Sequence, residues 1–264
     1  MARDRDEDHL YASGADGTRL RQIESQPGCK QDPDWSPDGG TIAYRYLPRC
    51  NYRENRIFVI DVRDGQAEDL TAQSGIQGNS PSWSPDGAQI AFSGQTGPRS
   101  HLGIYVMNRD GTRPRRLTPP DMEAQYPAWS PDGTKIAFHV ASETGFDIYV
   151  MNSDGSNMKP LVVGPTQDEW PMWSPSGNSI AFGREGERSE IRMVDLDGGD
   201  ESRVTDRGGV PANWAPGSWI VFNCIGSSGK TIVICAIRPD GTGFTRLPLR
   251  LGDKGAGFPA WRPE

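Results

Sequence analysis

One short phrase built on tryptophan returns six times along this 264-residue chain. Trp35, Trp83, Trp129 and Trp173 each open Trp-Ser-Pro-Asp/Ser-Gly; Trp214 opens Trp-Ala-Pro-Gly and Trp261 opens Trp-Arg-Pro-Glu. The intervals between them are 48, 46, 44, 41 and 47 residues. A period of roughly 40–50 residues marks a repeat architecture, in which each repeat is one supersecondary unit that cannot bury its faces alone. The repeat runs from end to end without a linker, so a single domain over 1–264 is expected.

The third unit shows what one repeat contains. Gln125-Tyr126-Pro127-Ala128-Trp129 is a short extended run. Ser130-Pro131-Asp132-Gly133 is a type I turn, with Pro at i+1 and Gly at i+3. Lys135 to Val140 alternates small and large residues as a second strand does. A polar loop from Ala141 to Gly145 leads to a third strand, Asp147 to Met151. Asn152-Ser153-Asp154-Gly155 is a tight hairpin signal, and Lys159-Pro160-Leu161-Val162 a weaker outer strand. Four antiparallel strands of this length make a propeller blade, and 4–8 blades close a ring. From the inside outwards we label the strands a to d.

Five units are complete, at approximately 31–71, 79–118, 125–162, 169–205 and 211–248. The sixth is split between 1–24 and 257–264. Leu10 to Leu20 matches strand c, the Asp-Gly turn and strand d, while Phe258 to Pro263 matches strand a. Joining the two ends predicts an all-β, six-bladed ring without exposed sheet edges. No Ile-Ala-Phe strand b exists for blade six. Either Met1 to Arg5 forms a stunted one, or that blade has three strands, the reading we favour.

These phrases resemble the WD40-like PD40 repeat of TolB-type six-bladed propellers, over essentially the whole chain. The combination Pro-x-Trp-Ser-Pro-Asp-Gly-x-x-Ile-Ala-Phe, then Ile-Tyr-Val-Met-Asn-x-Asp-Gly, carries the resemblance. It departs at Ser176, at Gly217 and in the truncated sixth blade. The resemblance implies the fold, a bacterial source and a general role in ligand or protein binding. It implies no particular partner, because no partner-binding signature is present to carry over. Related repeats also accompany kinases and peptidases, and this chain has neither domain.

Recurrent residues are read as structural. Each repeat Trp packs between neighbouring sheets, and each Asp of Ser-Pro-Asp-Gly caps its own turn. Specificity must then sit where the repeats differ. Strand a is innermost, so the residues before Pro-x-Trp ring one mouth of the channel: Gln31 and Asp32, Asn79 and Ser80, Gln125 and Tyr126, Glu169 and Trp170, Gly209 and Val210, Gly257 and Phe258. Strand b ends at the same face, bringing Arg45, Ser93, His139, Arg184 and Asn223. From these we take Gln31, Asp32, Arg45, Asn79, Tyr126, His139, Glu169, Trp170, Arg184, Asn223 and Phe258 as candidate ligand-binding residues. Aromatic walls with a few polar anchors suit a ligand pocket; alternatively the rings simply plug the channel. Arg45 and Arg184 either meet an anionic ligand or neutralise Asp32 and Glu169, and we favour the second.

No nucleophile elbow, P-loop, His-Glu-x-x-His or dinucleotide fingerprint occurs, so we lean towards a non-enzymatic binding protein for a protein segment or small ligand. The enzymatic alternative, of lyase, hydrolase or cyclase type, rests on Asp32, Glu169 and His139 as weak acid–base candidates. No cofactor and no confident metal site is expected; a Ca2+ or other cation in the channel, stiffening it as a scaffold, is a further alternative. A net charge of −7 argues against nucleic acid as a partner. No apolar run approaches a membrane span, and Met1 to Asp8 has no h-region of a signal peptide. We expect a monomer.

Four cysteines allow three pairings. Cys29 with Cys50, and Cys224 with Cys235, needs no long reach. Those bridges would place the protein in an oxidising periplasmic or secreted setting; four reduced thiols would place it in the cytoplasm.

Overall fold

The computed structural model describes residues 8–14, 18–23, 26–97, 99–207, 211–225, 232–247, 259–260 and 262. The expectations for Met1 to Arg5, Gly209, Val210, Gly257, Phe258 and Trp261 lie outside the described residues.

Each complete repeat is an antiparallel four-stranded sheet in sequence order. Blade one is β3 (Cys29–Trp35), β4 (Thr41–Leu47), β5 (Arg56–Asp61) and β6 (Ala67–Asp69). Blade two is β7 (Gln77–Trp83), β8 (Gln89–Gln95), β9 (Gly103–Asn108) and β10 (Arg115–Arg116). In blade three, β11 (Ala124–Trp129), β12 (Lys135–Ala141) and β13 (Phe146–Asn152) precede β14 (Lys159–Val162). Blade four follows with β15 (Gln167–Trp173), β16 (Ser179–Glu185), β17 (Glu190–Asp195) and β18 (Ser202–Thr205). Blade five comprises β19 (Pro211–Ala215), β20 (Trp219–Ile225), β21 (Ile232–Ile237) and β22 (Thr245–Arg246). In blades one to four the innermost strand begins one or two residues earlier than the repeat phrase suggests, because pairing resumes beyond a bulge at Gln31/Asp34, Asn79/Ser82, Gln125/Ala128 and Glu169/Met172. A hairpin of β1 (Tyr11–Ala12) and β2 (Arg21–Gln22) completes the described strands. Among the described residues no helix is long and apolar enough to cross a membrane.

The apolar cores lie between blades, which is why a lone repeat would not fold. Trp83 packs with Ala43, Ile57 and Leu70 of blade one and with Ile90 and Phe92 of its own blade. Trp173 likewise joins Ala137, Ile148 and Val150 of blade three to Ile180 and Phe182. Its indole Nε1 also donates to the carbonyl of Ala128, 3.0 Å away. Both chain ends meet blade one. Leu10 shares a core with Ile42, Tyr44 and Ile60. Arg262 donates from Nε to the Gly39 carbonyl at 3.1 Å and lies over the Trp35 ring.

The Ser-Pro-Asp-Gly turns are bracketed as their composition predicts. Ser36, Ser84 and Ser130 donate to Asp38, Asp86 and Asp132 at 2.6 Å. The same hydroxyls accept the N–H groups of Thr41, Gln89 and Lys135 at 2.9 Å. Each aspartate also accepts a backbone N–H two residues on. Where Ser176 replaces the aspartate, its contact with Ser174 lengthens to 3.2 Å. In the outer Asp-Gly hairpin, Gly111 adopts φ 78°, and a Cβ there would lie 2.6 Å from the Leu70 carbonyl of the preceding blade. Only glycine tolerates both demands.

Both expected disulfides are present. Cys29–Cys50 and Cys224–Cys235 span Cα distances of 4.9 and 5.9 Å.

Candidate functional site at the channel mouth

The bulge near the start of the inner strand recurs in blades one to four and re-aims one residue each time. Asp32, Ser80, Tyr126 and Trp170 hold that position with φ of 51, 49, 53 and 53°. Non-glycine residues seldom adopt this left-handed conformation, and Tyr and Trp have no local hydrogen bond to favour it. The neighbouring blade holds the strained peptide instead. Tyr126 N–H donates to Ser93 Oγ of blade two at 2.9 Å, and Trp170 N–H to His139 Nδ1 of blade three at 3.4 Å. Four chemically unrelated side chains therefore share one backbone geometry.

On blade one, Asp32 faces Arg45, with Nη1 to Oδ2 3.9 Å, and accepts the Ser80 hydroxyl across the seam at 3.3 Å. Burial pushes its carboxyl up, and Arg45 and Ser80 oppose that shift. Arg45 is held by Asn55 Oδ1, which accepts from Nε and Nη2 at 3.0 and 2.9 Å, and by Gln31 Oε1 at 3.4 Å. Its guanidinium lies 5.2 Å from the ring of Tyr52, a side chain 62 % exposed. Gln31 also donates to Asp8 at 2.7 Å. The expected pairing of Arg45 with Asp32 is thus observed.

An aromatic row follows round the mouth. Tyr126 tilts against His139 with centroids 5.2 Å apart and meets Trp170 edge-on at 6.1 Å. His139 tilts in turn against Phe146, with centroids 4.7 Å apart. Only 2 % exposed, His139 is pushed down to a pKa of about 3 by burial. Its Nδ1 serves as an acceptor, so the ring is a neutral wall that positions Trp170. Asn79 is buried and accepts the Ser80 hydroxyl.

Blade four corrects one expectation. Arg184 does not neutralise Glu169. It donates from Nε and Nη2 to Asp168 at 2.6 and 2.9 Å, and from Nη1 to Glu201 at 2.8 Å. Strand alternation is the reason: Arg184 is registered with Asp168, whereas Glu169 is registered with Gly183. Glu169 is 8 % exposed, and its carboxylate makes no hydrogen bond or ion pair among the described residues. Burial, reinforced by Glu185, pushes its carboxyl up to about 7. Gly183 seats the neighbouring indole, since a Cβ there would stand 3.1 Å from Trp170 Cε3 and 3.2 Å from Pro211 Cδ. Asn223 of blade five leaves its buried Oδ1 without a partner among the described residues.

Sequence reasoning placed the b–c loops 47–55 and 184–190 at the mouth without singling out Tyr52, Asn55 or Glu185 in them, and it missed Asp34 in the blade-one seam. For Asp34 a signal existed, because the residue between Pro and Trp is acidic in blade one alone: Asp34 against Ser82, Ala128 and Met172.

Inter-blade cores, a regular inner bulge and an irregular rim define a β-propeller, with five four-stranded blades and a two-stranded hairpin among the described residues and a chemically individual channel mouth. The chain belongs to the PD40 family, the TolB beta propeller domain, whose model matches residues 2–264. Its fold is similar to that of the putative TolB of Agrobacterium tumefaciens, with a TM-score of 0.76 and 24 % identity over 87 % of this chain and 84 % of that one. It is also similar to TolB of Acinetobacter baumannii, at a TM-score of 0.79 and 24 % identity over 97 % of this chain. This chain spans 63 % of the length of the Acinetobacter protein. An oligogalacturonate lyase in complex with manganese shares the fold at a TM-score of 0.63 and 13 % identity, over 94 % of this chain and 74 % of that one. No match was found among the curated proteins.

Proposed function

We propose that this protein is a non-catalytic interaction propeller of an oxidising extracytoplasmic compartment, taking a protein segment or small ligand at the channel mouth. The observation that carries the reading is the shared left-handed position. The repeat holds one backbone geometry at Asp32, Ser80, Tyr126 and Trp170, yet the four side chains differ in charge, size and polarity. Backbone strain maintained by neighbouring blades marks functional positions. Aromatic rings beside buried carboxylates supply apolar contact together with orienting charge. The two disulfides support the compartment.

The test is paired affinity capture from a bacterial envelope extract with wild type and the double variant Tyr126→Ala/Trp170→Ala. Partners held by wild type and lost by a double variant that still melts cooperatively support the reading. Identical captured sets from the two proteins refute it.

A further inference from the structure

The two halves of the mouth differ in how completely their polar groups are satisfied. In blades one to three the rim is paired: Asp32 with Arg45 and Ser80, Gln31 with Arg45 and Asp8, Asn79 with Ser80, and Gln125 with Glu123. In blade four it is not. Glu169 is more than nine-tenths buried, and its carboxylate has no partner among the described residues. Cross-strand positions elsewhere carry a polar side chain: Arg45 opposite Gln31, Ser93 opposite Asn79, His139 opposite Gln125. Opposite Glu169 stands Gly183, which brings no side chain.

The neighbouring cation is not free to help. Arg184 is committed to Asp168, which is fully buried, and to Glu201. Leaving Asp168 would strand an uncompensated buried charge. A second carboxylate, exposed Glu185, lies two residues beyond Gly183 at the end of β16 and acts on Glu169 electrostatically. The Trp170 ring covers Gly183, the residue registered opposite Glu169, and meets Tyr126 edge-on. A buried carboxylate, an outer carboxylate and an indole together match a positively charged group on a slender stem. Carboxylates take its charge and hydrogen bonds, and the aromatic face takes its polarised CH groups.

We propose that the blade-four rim, formed by Glu169, Glu185 and the Trp170 ring, binds an organic cation: the ammonium or guanidinium end of a ligand side chain. The proposal rests on the reading of the mouth as a binding site and names the chemistry it selects. A lysine or arginine side chain in an extended segment has the required shape.

Four tripeptide probes test it: Ac-Gly-X-Gly-NH2 with X as Lys, Arg, norleucine or Glu, each titrated into the full chain and followed by protein NMR. The Lys and Arg probes are expected to bind at least about tenfold more tightly than the norleucine and Glu probes. That preference should vanish in Glu169→Gln. Glu185→Gln, a change at an exposed position, should reduce it even if Glu169→Gln were to misfold. Binding of all four probes with equal strength, or of none, overturns the inference. A preference intact in both variants does so too. Calcium chloride alone provides another arm: Glu169-dependent uptake of calcium without amine binding would assign the carboxylate to a metal instead. The capture experiment with the Tyr126→Ala/Trp170→Ala variant does not depend on probe charge. The mouth can therefore stand as a binding site while the cation preference fails.

Discussion

The carboxylate of Asp34 in blade one accepts the backbone N–H of Trp83 in blade two, with Oδ2 to N 2.7 Å. One side chain thus ties the inner strand of a blade to the tryptophan of the next. Desolvation in the seam pushes Asp34 up to a pKa of about 7, against the pull of this bond. Asp34→Ala should cost about 1–3 kcal/mol by leaving a buried N–H unsatisfied. Asp34→Asn keeps an acceptor and removes the ionisation. A folded-state pKa above the unfolded value means that wild type loses stability as pH rises from about 4 to 7. The Asp34→Asn variant should not show that loss, so thermal melts of both proteins at pH 4.5 and pH 8 should diverge at the higher pH. Parallel behaviour at the two pH values would falsify this account.

Glu169 follows the same sign with a different structural cause. Its raised pKa of about 7 reflects burial, with the like charge of Glu185 adding to it. Glu169→Gln should therefore leave stability near that of wild type at pH 4.5 and raise it by about 1–3 kcal/mol at pH 8. Denaturant melts at the two pH values check this. A variant less stable than wild type at pH 8 would mean that the carboxylate has a favourable partner.

The Cys29–Cys50 bridge closes the segment that carries Arg45 and lies beside the loop of Tyr52 and Asn55. Its removal in a Cys29→Ser/Cys50→Ser variant should lower stability by about 2–4 kcal/mol. The same change should broaden NMR signals of Arg45 and Tyr52 more than those of blade four. A denaturation midpoint equal to that of wild type would count against the bridge as a stabilising element.

Trp173→Ala should destabilise by about 3–5 kcal/mol, because the ring fills the seam between blades three and four. Trp173→Phe retains much of that burial but loses the donor to Ala128, at a further cost of about 1 kcal/mol. Equal losses for Phe and Ala would show that the hydrogen bond, not the packing, dominates.

Much of the fold was legible because its determinants are local and recur. Pro at i+1 and Gly at i+3 set the Ser-Pro-Asp-Gly turn, and alternation in Ile136-Ala137-Phe138 set the second strand. Only the coordinates show that Thr71 and Thr118, just beyond β6 and β10, accept the N–H groups of Ile57 and Ile104. The mouth was legible as a position and not as an arrangement. Which of two adjacent acids an arginine meets depends on which face of the strand each occupies, and a bulge shifts that parity. A shared place at the mouth suggested Arg184 for Glu169; register delivered it to Asp168.

The linear chain already carries the repeat, the strand order within a blade, the turn chemistry and the pairing of cysteines close along it. These follow from period, from backbone preference and from short loops, none of which needs distant residues. Arg45 meets Asp32 as its place at the mouth suggested, but the pairing of Arg184 with Asp168 and Glu201, and the lack of any partner for Glu169 among the described residues, emerged only in three dimensions. Charge pairing is settled across strands and seams, where a few ångströms and the face of a sheet decide the partner, and a linear sequence carries neither.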